Sequence, residues 1–332
     1  MAQPREARNE NSTTVRSLGA LRASFSALGY VAPDLAAAAA ERLFFTPFGP
    51  RRSRGEALLS TAEPLRLSLA GRPLAAWRWG QGPAVLLQHG WAGQGAQLTA
   101  FVEPLLEQGL SVATFDAPGH GRSGRGLSSL VQFAQALEKV AQAVGPVHGV
   151  VAHSLGAAGV AFALRHGLPA RRIVFLAPAA DPPAWIHAQA PELGISPTVL
   201  GRLRRRSERR LGVSWDEVKV PEMAATFRTP LLIFHDSGDR QVPFSEGTAI
   251  AASWPEARLV ATEGLGHNRL LRDPEVVAEA VEFLASDLEP CPACARPIST
   301  GTLCERCRFD RELFDPNLRR KTAGPGRAPR PA

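Results

Sequence analysis

Short continuous runs of apolar residues alternate along this chain with longer segments whose apolar residues recur every three or four positions. Continuous apolar runs occur at 84–87, 173–176 and 231–234, which is typical of strands buried on both faces, and a further strand is predicted at 147–152, which ends in the short apolar run 150–152. Segment 130–144 instead carries Leu, Phe and Val residues at helical spacing. The alternation of such strands with helices predicts βαβ units and a mostly parallel sheet.

The two ends of this pattern also have local signals. Apolar residues alternate with polar or small ones over 65–69, and a second strand-like segment, 74–79, follows the turn residues 71–73, which predicts an opening antiparallel hairpin. Near the other end, Asp273 followed by Pro274 is typical of a helix N-cap, so we expect a last helix that extends to Leu284.

The strand rhythm is interrupted between Ala180 and Thr229. Prolines, tryptophans and a helical stretch replace it, which predicts a small helical cap inserted over the site. The cap contains six arginines within residues 201–210. Such a run is typical of a solvated helix face, and the alternative is a surface that attracts anionic substrates, phospholipid head groups or coenzyme A-linked acyl chains.

The predicted domain organisation has four parts. Residues 1–47 form a polar tail and helices, with the first fifteen residues disordered and a helical region over 22–45 that restarts at Pro33. Residues 48–288 form the α/β domain with the cap at about 180–229. Residues 289–316 form a cysteine-containing segment, and residues 317–332, rich in Pro, Gly and Arg, form a disordered basic tail.

Composition limits the function classes. A chain of 332 residues with 45% hydrophobic residues can bury one large core with small appendages. The net charge is +7, with the positive residues concentrated in the cap, the cysteine segment and the tail, and no motif for specific nucleic-acid binding accompanies them. No apolar stretch reaches the length of a membrane span, and no secretory signal is visible, so we expect a cytoplasmic protein.

The strongest chemical signal is the segment 150–157, in which Ser154 has small residues two positions away on each side. It follows an apolar run and precedes a helix-compatible segment. This is the pattern of a nucleophile elbow, G-x-S-x-G, with Ala152 in place of the first glycine. A sharp strand-to-helix turn leaves no room for bulky neighbours and exposes the serine hydroxyl, so Ser154 is a candidate nucleophile.

An acid and a base for this serine follow downstream. Asp236 and Asp239 lie in the polar loop after the apolar run 231–234, and His267 lies in a glycine-flanked loop after the strand-like segment 257–261. Both loops follow the carboxyl ends of predicted strands, where open α/β sheets place their chemistry. His267 is a candidate general base, and either aspartate is a candidate to orient it.

The segment from about Leu65 to Leu284 resembles an α/β-hydrolase fold serine hydrolase of the esterase and thioesterase-like group. The resemblance rests on five motifs in the family order, at residues 87–91, 116–123, 152–156, 235–243 and 266–267. It implies an α/β-hydrolase fold, a mostly parallel twisted sheet flanked by helices. Dehalogenase-like relatives carry an aspartate at the elbow, so a serine there implies acyl chemistry.

The resemblance also implies residue roles. The family places its acid just before an x-x-Val-Pro step, which favours Asp239 over Asp236. It implies an oxyanion hole formed by the backbone N–H groups of Trp91 and Leu155. Three further histidines lie in the motifs. We interpret His89 and His120 as residues that hold loops together, and His153 as the variable position beside the nucleophile.

All four cysteines lie in one short segment, as the pairs Cys291/Cys294 and Cys304/Cys307, separated by nine residues. Two C-x-x-C pairs at this spacing are typical of a four-thiolate structural zinc site. A redox pair is disfavoured because no thioredoxin-like context accompanies it, and a disulfide framework would require an oxidising compartment. We therefore expect a structural zinc, with no cofactor for catalysis, and a role in docking a protein partner or in fixing the C-terminus.

The sequence thus predicts a hydrolase that cleaves a small-molecule carboxylic ester or thioester through an acyl-serine intermediate on Ser154. The alternative from another class is a catalytically reduced protein that binds a partner through its zinc segment or basic cap. A third interpretation keeps the fold and changes the bond cleaved to an amide, a lactone or a carbon–carbon bond.

Overall fold

The computed structural model describes residues 7–48, 55–290 and 297–298, and these contain ten β-strands. The strands are β1 (Glu63–Leu69), β2 (Arg72–Trp79), β3 (Ala84–Gln88), β4 (Ser111–Phe115), β5 (Val147–His153), β6 (Arg172–Leu176), β7 (Leu231–Asp236), β8 (Ala257–Thr262), β9 (Glu289–Pro290) and β10 (Pro297–Ile298). The α-helices are α1 (Ala7–Val31), α2 (Pro33–Phe45), α3 (Val102–Glu107), α4 (Leu130–Val144), α5 (Leu155–Arg165), α6 (Pro182–Gln189), α7 (Pro197–Leu211), α8 (Val220–Ala224), α9 (Phe244–Ser253), α10 (Gly266–Arg269) and α11 (Pro274–Ala285). Short 3-10 helices occur at Leu58–Thr61, Gly95–Phe101, Gly121–Ser123, Asp216–Val218 and Leu270–Arg272.

One eight-stranded sheet organises these elements, in the order β1-β2-β4-β3-β5-β6-β7-β8. Strand β2 is antiparallel to both β1 and β4, and the pairs from β4 to β8 are parallel. The predicted opening hairpin and mostly parallel sheet are therefore confirmed. β9 and β10 form a separate two-stranded antiparallel pair.

The sheet separates two hydrophobic cores, because successive residues of a strand face opposite sides. On β3, Leu86 packs into one core while Val85 and Leu87 pack into the other. The first core lies against α4, α5, α8 and α9, and the second against α3 and α11. Cover on both faces explains why β3, β5 and β7 are buried over their full length and appear as continuous apolar runs in the sequence.

The connection between β6 and β7 contains α6, α7 and α8, so the predicted helical insertion is present. Its last part, Val218–Phe227, packs into the first core of the sheet. Helix α7 instead packs against α1 and α2, and these helices share a third hydrophobic cluster with Trp215. The cluster contains Phe25, Ala36, Ala37, Ala40, Phe45, Ala190, Ile195, Val199, Leu203 and Trp215. The N-terminal helices and α7 therefore form one packed helical unit, which we call the helical layer.

The basic run on α7 is used within this helical layer. Glu41 of α2 has a buried side chain, 4% exposed, and accepts hydrogen bonds from the Nε atoms of Arg206 and Arg210. Arg204 bonds a glutamate of its own helix at 2.8 Å and an aspartate at 2.6 Å, and Arg202 pairs with an aspartate of α2. Four arginines of the run thus bind carboxylates of their own chain.

Helix α1 begins earlier than the sequence indicated. We expected disorder over the first fifteen residues, and the structure instead has a helical backbone from Ala7 onward. Polarity opposes a buried core, but it does not oppose a helix that extends from a packed segment, because adding residues to a formed helix costs much less than starting one. No helix within the described ranges is long and apolar enough to cross a bilayer.

Candidate active site

Ser154 lies at the sharp turn between β5 and α5. Its backbone angles are φ 53° and ψ −124°, a conformation that non-glycine residues rarely adopt and that typically costs about 1–3 kcal/mol. The Ser154 N–H donates to the carbonyl of Leu176 at 3.0 Å, and its own carbonyl accepts from Ala157 N–H at 3.0 Å. The surrounding backbone thus holds a strained turn, as the elbow motif predicts.

Small neighbours are required here because two backbone segments touch. A Cβ on Gly156 would lie 2.5 Å from the carbonyl oxygen of His89, and a Cβ on Gly90 would lie 2.8 Å from the Ser154 Cβ. The loop after β3 therefore passes directly beside Ser154 and the start of α5. This contact brings together the two loops from which oxyanion donors were predicted.

Two buried neutral histidines fix the loop after β3. His89 Nδ1 donates to Gly90 O at 2.7 Å, and its Nε2 accepts from Ala117 N–H at 2.9 Å. His120 Nδ1 donates to Pro118 O at 3.1 Å, and its Nε2 accepts from Ala92 N–H at 3.1 Å. Burial lowers the pKa of His89 to about 4; burial, assisted by the nearby His89, lowers the pKa of His120 to about 3. Both rings serve the backbone, which confirms the interpretation as loop-holding residues.

These bonds narrow the choice of oxyanion donor within the loop. The N–H of Ala92 is taken by His120, and the N–H of Gly93 donates to Gly90 O at 3.1 Å. Neither of these two N–H groups can bind an oxyanion without breaking its own hydrogen bond. Trp91 lies between Gly90 and Ala92 in the sequence, so its N–H stays the candidate donor from this loop. Leu155 is the first residue of α5, and the first N–H groups of a helix have no intrahelical acceptor.

The two aspartates at the carboxyl end of β7 have different partners. Asp236 binds the backbone of both loops: its Oδ1 accepts from Gly238 N–H at 3.0 Å, and its Oδ2 accepts from Leu265 N–H, in the loop after β8, at 2.7 Å. Asp239 Oδ2 instead accepts from His267 Nδ1 at 2.7 Å. The structure therefore brings Asp239, rather than Asp236, together with the predicted base.

Backbone bonds also hold the Asp239 carboxylate in place. Its Oδ1 accepts from the N–H groups of Gln241 and Val242 at 2.7 and 3.1 Å, and its side chain is fully buried. Burial acts to raise the pKa of Asp239, but the hydrogen bonds from His267 and the two backbone N–H groups outweigh it, so the net pKa is lowered. The group is an anion beside the Nδ1 of His267 at neutral pH.

His267 lies on α10 with its side chain 6% exposed. Its ring lies 4.6 Å, centroid to centroid, from that of His153, the residue that precedes Ser154. His153 Nε2 also lies 3.1 Å from the backbone oxygen of His267. The sequence gives one weak indication of the contact between His153 and His267: His153 is a polar residue at the end of a buried strand.

An open cavity of about 430 Å³ borders the histidine loop. It is lined by residues of the loops 236–241 and 263–269, including His267. Ser154 is absent from its lining, so we do not assign it as the acyl-binding pocket. The four cysteines predicted to bind zinc, Cys291, Cys294, Cys304 and Cys307, lie outside the described residues.

Within the eight-stranded sheet, β2 is the one strand that runs in the opposite direction, and a strained serine follows the central β5. These features define an α/β protein of the hydrolase-fold class. The model of the Alpha/beta hydrolase family matches residues 84–280, more than half of the chain. The chain therefore belongs to the alpha/beta hydrolase family.

The chain is also similar to one protein sequence and to several solved structures of this fold. An uncharacterized protein of Mycobacterium tuberculosis strain H37Rv is 28% identical over 248 residues, covering 71% of this chain and 81% of that protein. Among solved structures, an esterase from Exiguobacterium antarcticum has a TM-score of 0.51 at 17% identity, covering 65% of this chain and 97% of that one. The thioesterase domain from the curacin biosynthetic pathway has a TM-score of 0.51 at 18% identity, covering 68% and 99%. A monoacylglycerol lipase from Paleococcus ferrophilus has a TM-score of 0.50 at 22% identity, covering 64% and 98%.

Proposed function

We propose that this protein is a serine hydrolase that cleaves a carboxylic ester or thioester through an acyl-serine intermediate on Ser154. The observation that carries the proposal is the 2.7 Å bond between Asp239 and His267, which lies against the strained turn that presents Ser154. A hydroxyl is a weak nucleophile at neutral pH, and a base paired with a carboxylate is the usual means of activating it.

The proposed reaction has two halves. Because Asp239 accepts the Nδ1 hydrogen of His267, the Nε2 of that ring is free to accept the Ser154 proton as Oγ attacks the acyl carbon. The tetrahedral oxyanion is bound by the N–H groups of Trp91 and Leu155, each worth roughly 3 kcal/mol in the transition state. The leaving alcohol or thiol takes the proton from His267, and water, activated by the same ring, then hydrolyses the acyl-serine.

The solved relatives support acyl chemistry by the names they carry: an esterase, a thioesterase domain and a monoacylglycerol lipase. Their identity to this chain is at most 22%, so they do not choose between oxygen and sulfur as the leaving atom. We propose a small-molecule acyl substrate. A structural zinc on the four C-terminal cysteines stays a prediction.

The test is fluorophosphonate labelling together with turnover of short p-nitrophenyl esters and a matched panel of acyl-thioesters. Wild-type protein should be labelled and active, and Ser154→Ala should lose labelling and at least about 10³-fold of kcat, because the acyl-enzyme route is closed. Ser253→Ala is the matched control: its hydroxyl donates to carbonyls of its own helix at 3.0 Å, at the last residue of α9. It should behave as wild type.

Two results would overturn the proposal. One is a folded wild-type protein that neither labels nor turns over any ester or thioester. The other is turnover that Ser154→Ala retains, which would place the chemistry elsewhere. Binding of a partner protein that depends on Cys291 and Cys304 but not on Ser154, in the absence of turnover, would instead favour a partner-binding protein.

A further inference from the structure

His153 makes two contacts that join separate parts of the proposed site. It is the last residue of β5, 5% exposed, and its Nε2 lies 3.1 Å from the backbone oxygen of His267. A Cβ built on Gly90 would lie 3.1 Å from the His153 Nδ1, so the opposite side of the ring borders the loop after β3. One side chain therefore contacts both loops that meet at Ser154.

We propose that His153 is a positioning residue, which holds the backbone of His267 so that its imidazole faces Ser154, and that the hydrogen on its Nε2 is the group required. This inference rests on the proposed function, because its consequence is a rate of acyl transfer. His153 itself does not take up the serine proton in this proposal.

The hydrogen must lie on Nε2 because a carbonyl oxygen can only accept. The ring is also neutral, since burial, with a smaller effect from the adjacent His267, lowers the pKa of His153 to about 3. Its Nδ1 is then an unprotonated acceptor that faces the Gly90 side. A permanently neutral donor suits a positioning role, because it fixes a carbonyl without adding a second positive charge beside the base.

The result is that His267 is held at two separate points. Asp239 holds its Nδ1 at 2.7 Å, which fixes the rotation of the ring, and His153 holds its backbone, which fixes the place from which the ring projects. His267 lies on the four-residue helix α10, which begins at Gly266, whose φ is 60°. A shift of about 1 Å in such a short element can cost on the order of 10²-fold in rate, since proton transfer requires hydrogen-bond contact.

A residue that only fills space would give different results from a residue that donates a hydrogen bond. His153→Phe keeps the size of the ring and removes the donor, whereas His153→Gln places an amide N–H at about the reach of Nε2. His148→Phe is the matched control, because His148 is a buried histidine of the same strand whose Nε2 lies 2.6 Å from the carbonyl of Leu284. That contact is at the opposite end of β5 from Ser154.

We expect His153→Phe to lower kcat by about 30- to 100-fold with KM changed less than about threefold, and His153→Gln to remain within about fivefold of wild type. His148→Phe should lower the thermal midpoint while its kcat stays within about twofold. Equal kcat for the wild type, His153→Phe and His153→Gln would overturn the proposal. So would a loss in His153→Gln as large as that in His153→Phe.

A second measurement is independent of turnover. In protein labelled with ¹⁵N-histidine, the proposal requires His153 to carry its hydrogen on Nε2 and to stay neutral at pH 5. A ring protonated on Nδ1, or a doubly protonated ring, would refute the contact itself. An inactive wild-type protein would contradict the proposed function, whereas an active enzyme indifferent to His153→Phe would contradict only this inference.

Discussion

Replacing Asp239 by Asn tests the acid of the proposed triad most directly, because the change removes one charge and almost no volume. In the wild-type protein the carboxylate accepts the Nδ1 hydrogen of His267 at 2.7 Å and two backbone N–H groups. The neutral side-chain oxygen of an asparagine can accept a hydrogen bond from His267 or from the backbone N–H groups, but it carries no negative charge. If instead its NH₂ group faces His267, the imidazole must accept on Nδ1 and carry its hydrogen on Nε2, where it cannot take the serine proton.

The size of the effect follows from the geometry. Charge centres about 4 Å apart attract by about 4 kcal/mol at an effective dielectric constant near 20. That attraction stabilises the imidazolium that forms when His267 takes the Ser154 proton. At about 1.36 kcal/mol per tenfold change in rate, its loss corresponds to about 10³-fold in kcat, and the wrong tautomer extends this toward about 10⁴-fold.

The assay compares kcat and KM of Asp239→Asn and Asp236→Asn on the same p-nitrophenyl ester. Asp239→Asn should lose about 10³- to 10⁴-fold in kcat with little change in KM. Asp236 bonds Leu265 N–H at 2.7 Å and the Thr262 hydroxyl at 3.1 Å, so its replacement should lower the thermal midpoint and cost less than about tenfold in kcat. A larger loss in Asp236→Asn, or equal losses, would refute the assignment of the acid.

Two further predictions concern stability. Burial lowers the pKa values of His89, His120 and His153 to about 4, 3 and 3, from 6.5 in the unfolded chain. Below pH 6.5 the unfolded chain therefore binds more protons than the folded protein. The free energy of unfolding should consequently fall as the pH falls from about 6.5 to 4. Each fully buried ring adds a slope of about 1.4 kcal/mol per pH unit, and urea unfolding that is unchanged between pH 7 and 5 would contradict this. Glu41→Gln removes a buried carboxylate that has two arginine partners, and it should lower the free energy of unfolding by about 2 kcal/mol. This value is below that of a fully buried ion pair because the two arginine side chains are partly exposed to water. Asp34→Asn, on a carboxylate 83% exposed, should cost under about 1 kcal/mol in the same measurement, and equal losses would contradict the importance of burial.

The sheet and its motifs could be predicted because their signals are local. Strands buried on both faces appear as continuous apolar runs, and a sharp turn allows only small residues around Ser154, so both features are visible without contacts. The order of loops along a parallel sheet then places Asp239 and His267 near the same edge. The disorder predicted for the first fifteen residues was wrong from Ala7 onward, because polarity excludes burial but does not exclude a helix.

The missing features depend on contacts between distant residues. Glu41 meets Arg206 across 165 positions, and His153 meets the backbone of His267 across 114 positions. Neither pair has a spacing or composition that marks it in the sequence. The choice between Asp236 and Asp239 likewise rested on the family pattern, since both follow the same strand and only the fold shows which carboxylate faces His267.

The helical layer has a practical consequence for anyone who shortens this protein. A fragment trimmed to the family match, 84–280, would lose strands β1 and β2 and also the two helices that cover α7. Val199, Leu203 and Trp215 would then face water, beside arginines deprived of the carboxylate of Glu41. Such a surface favours aggregation, so a trimmed fragment is expected to lose solubility whether or not its catalytic centre is intact.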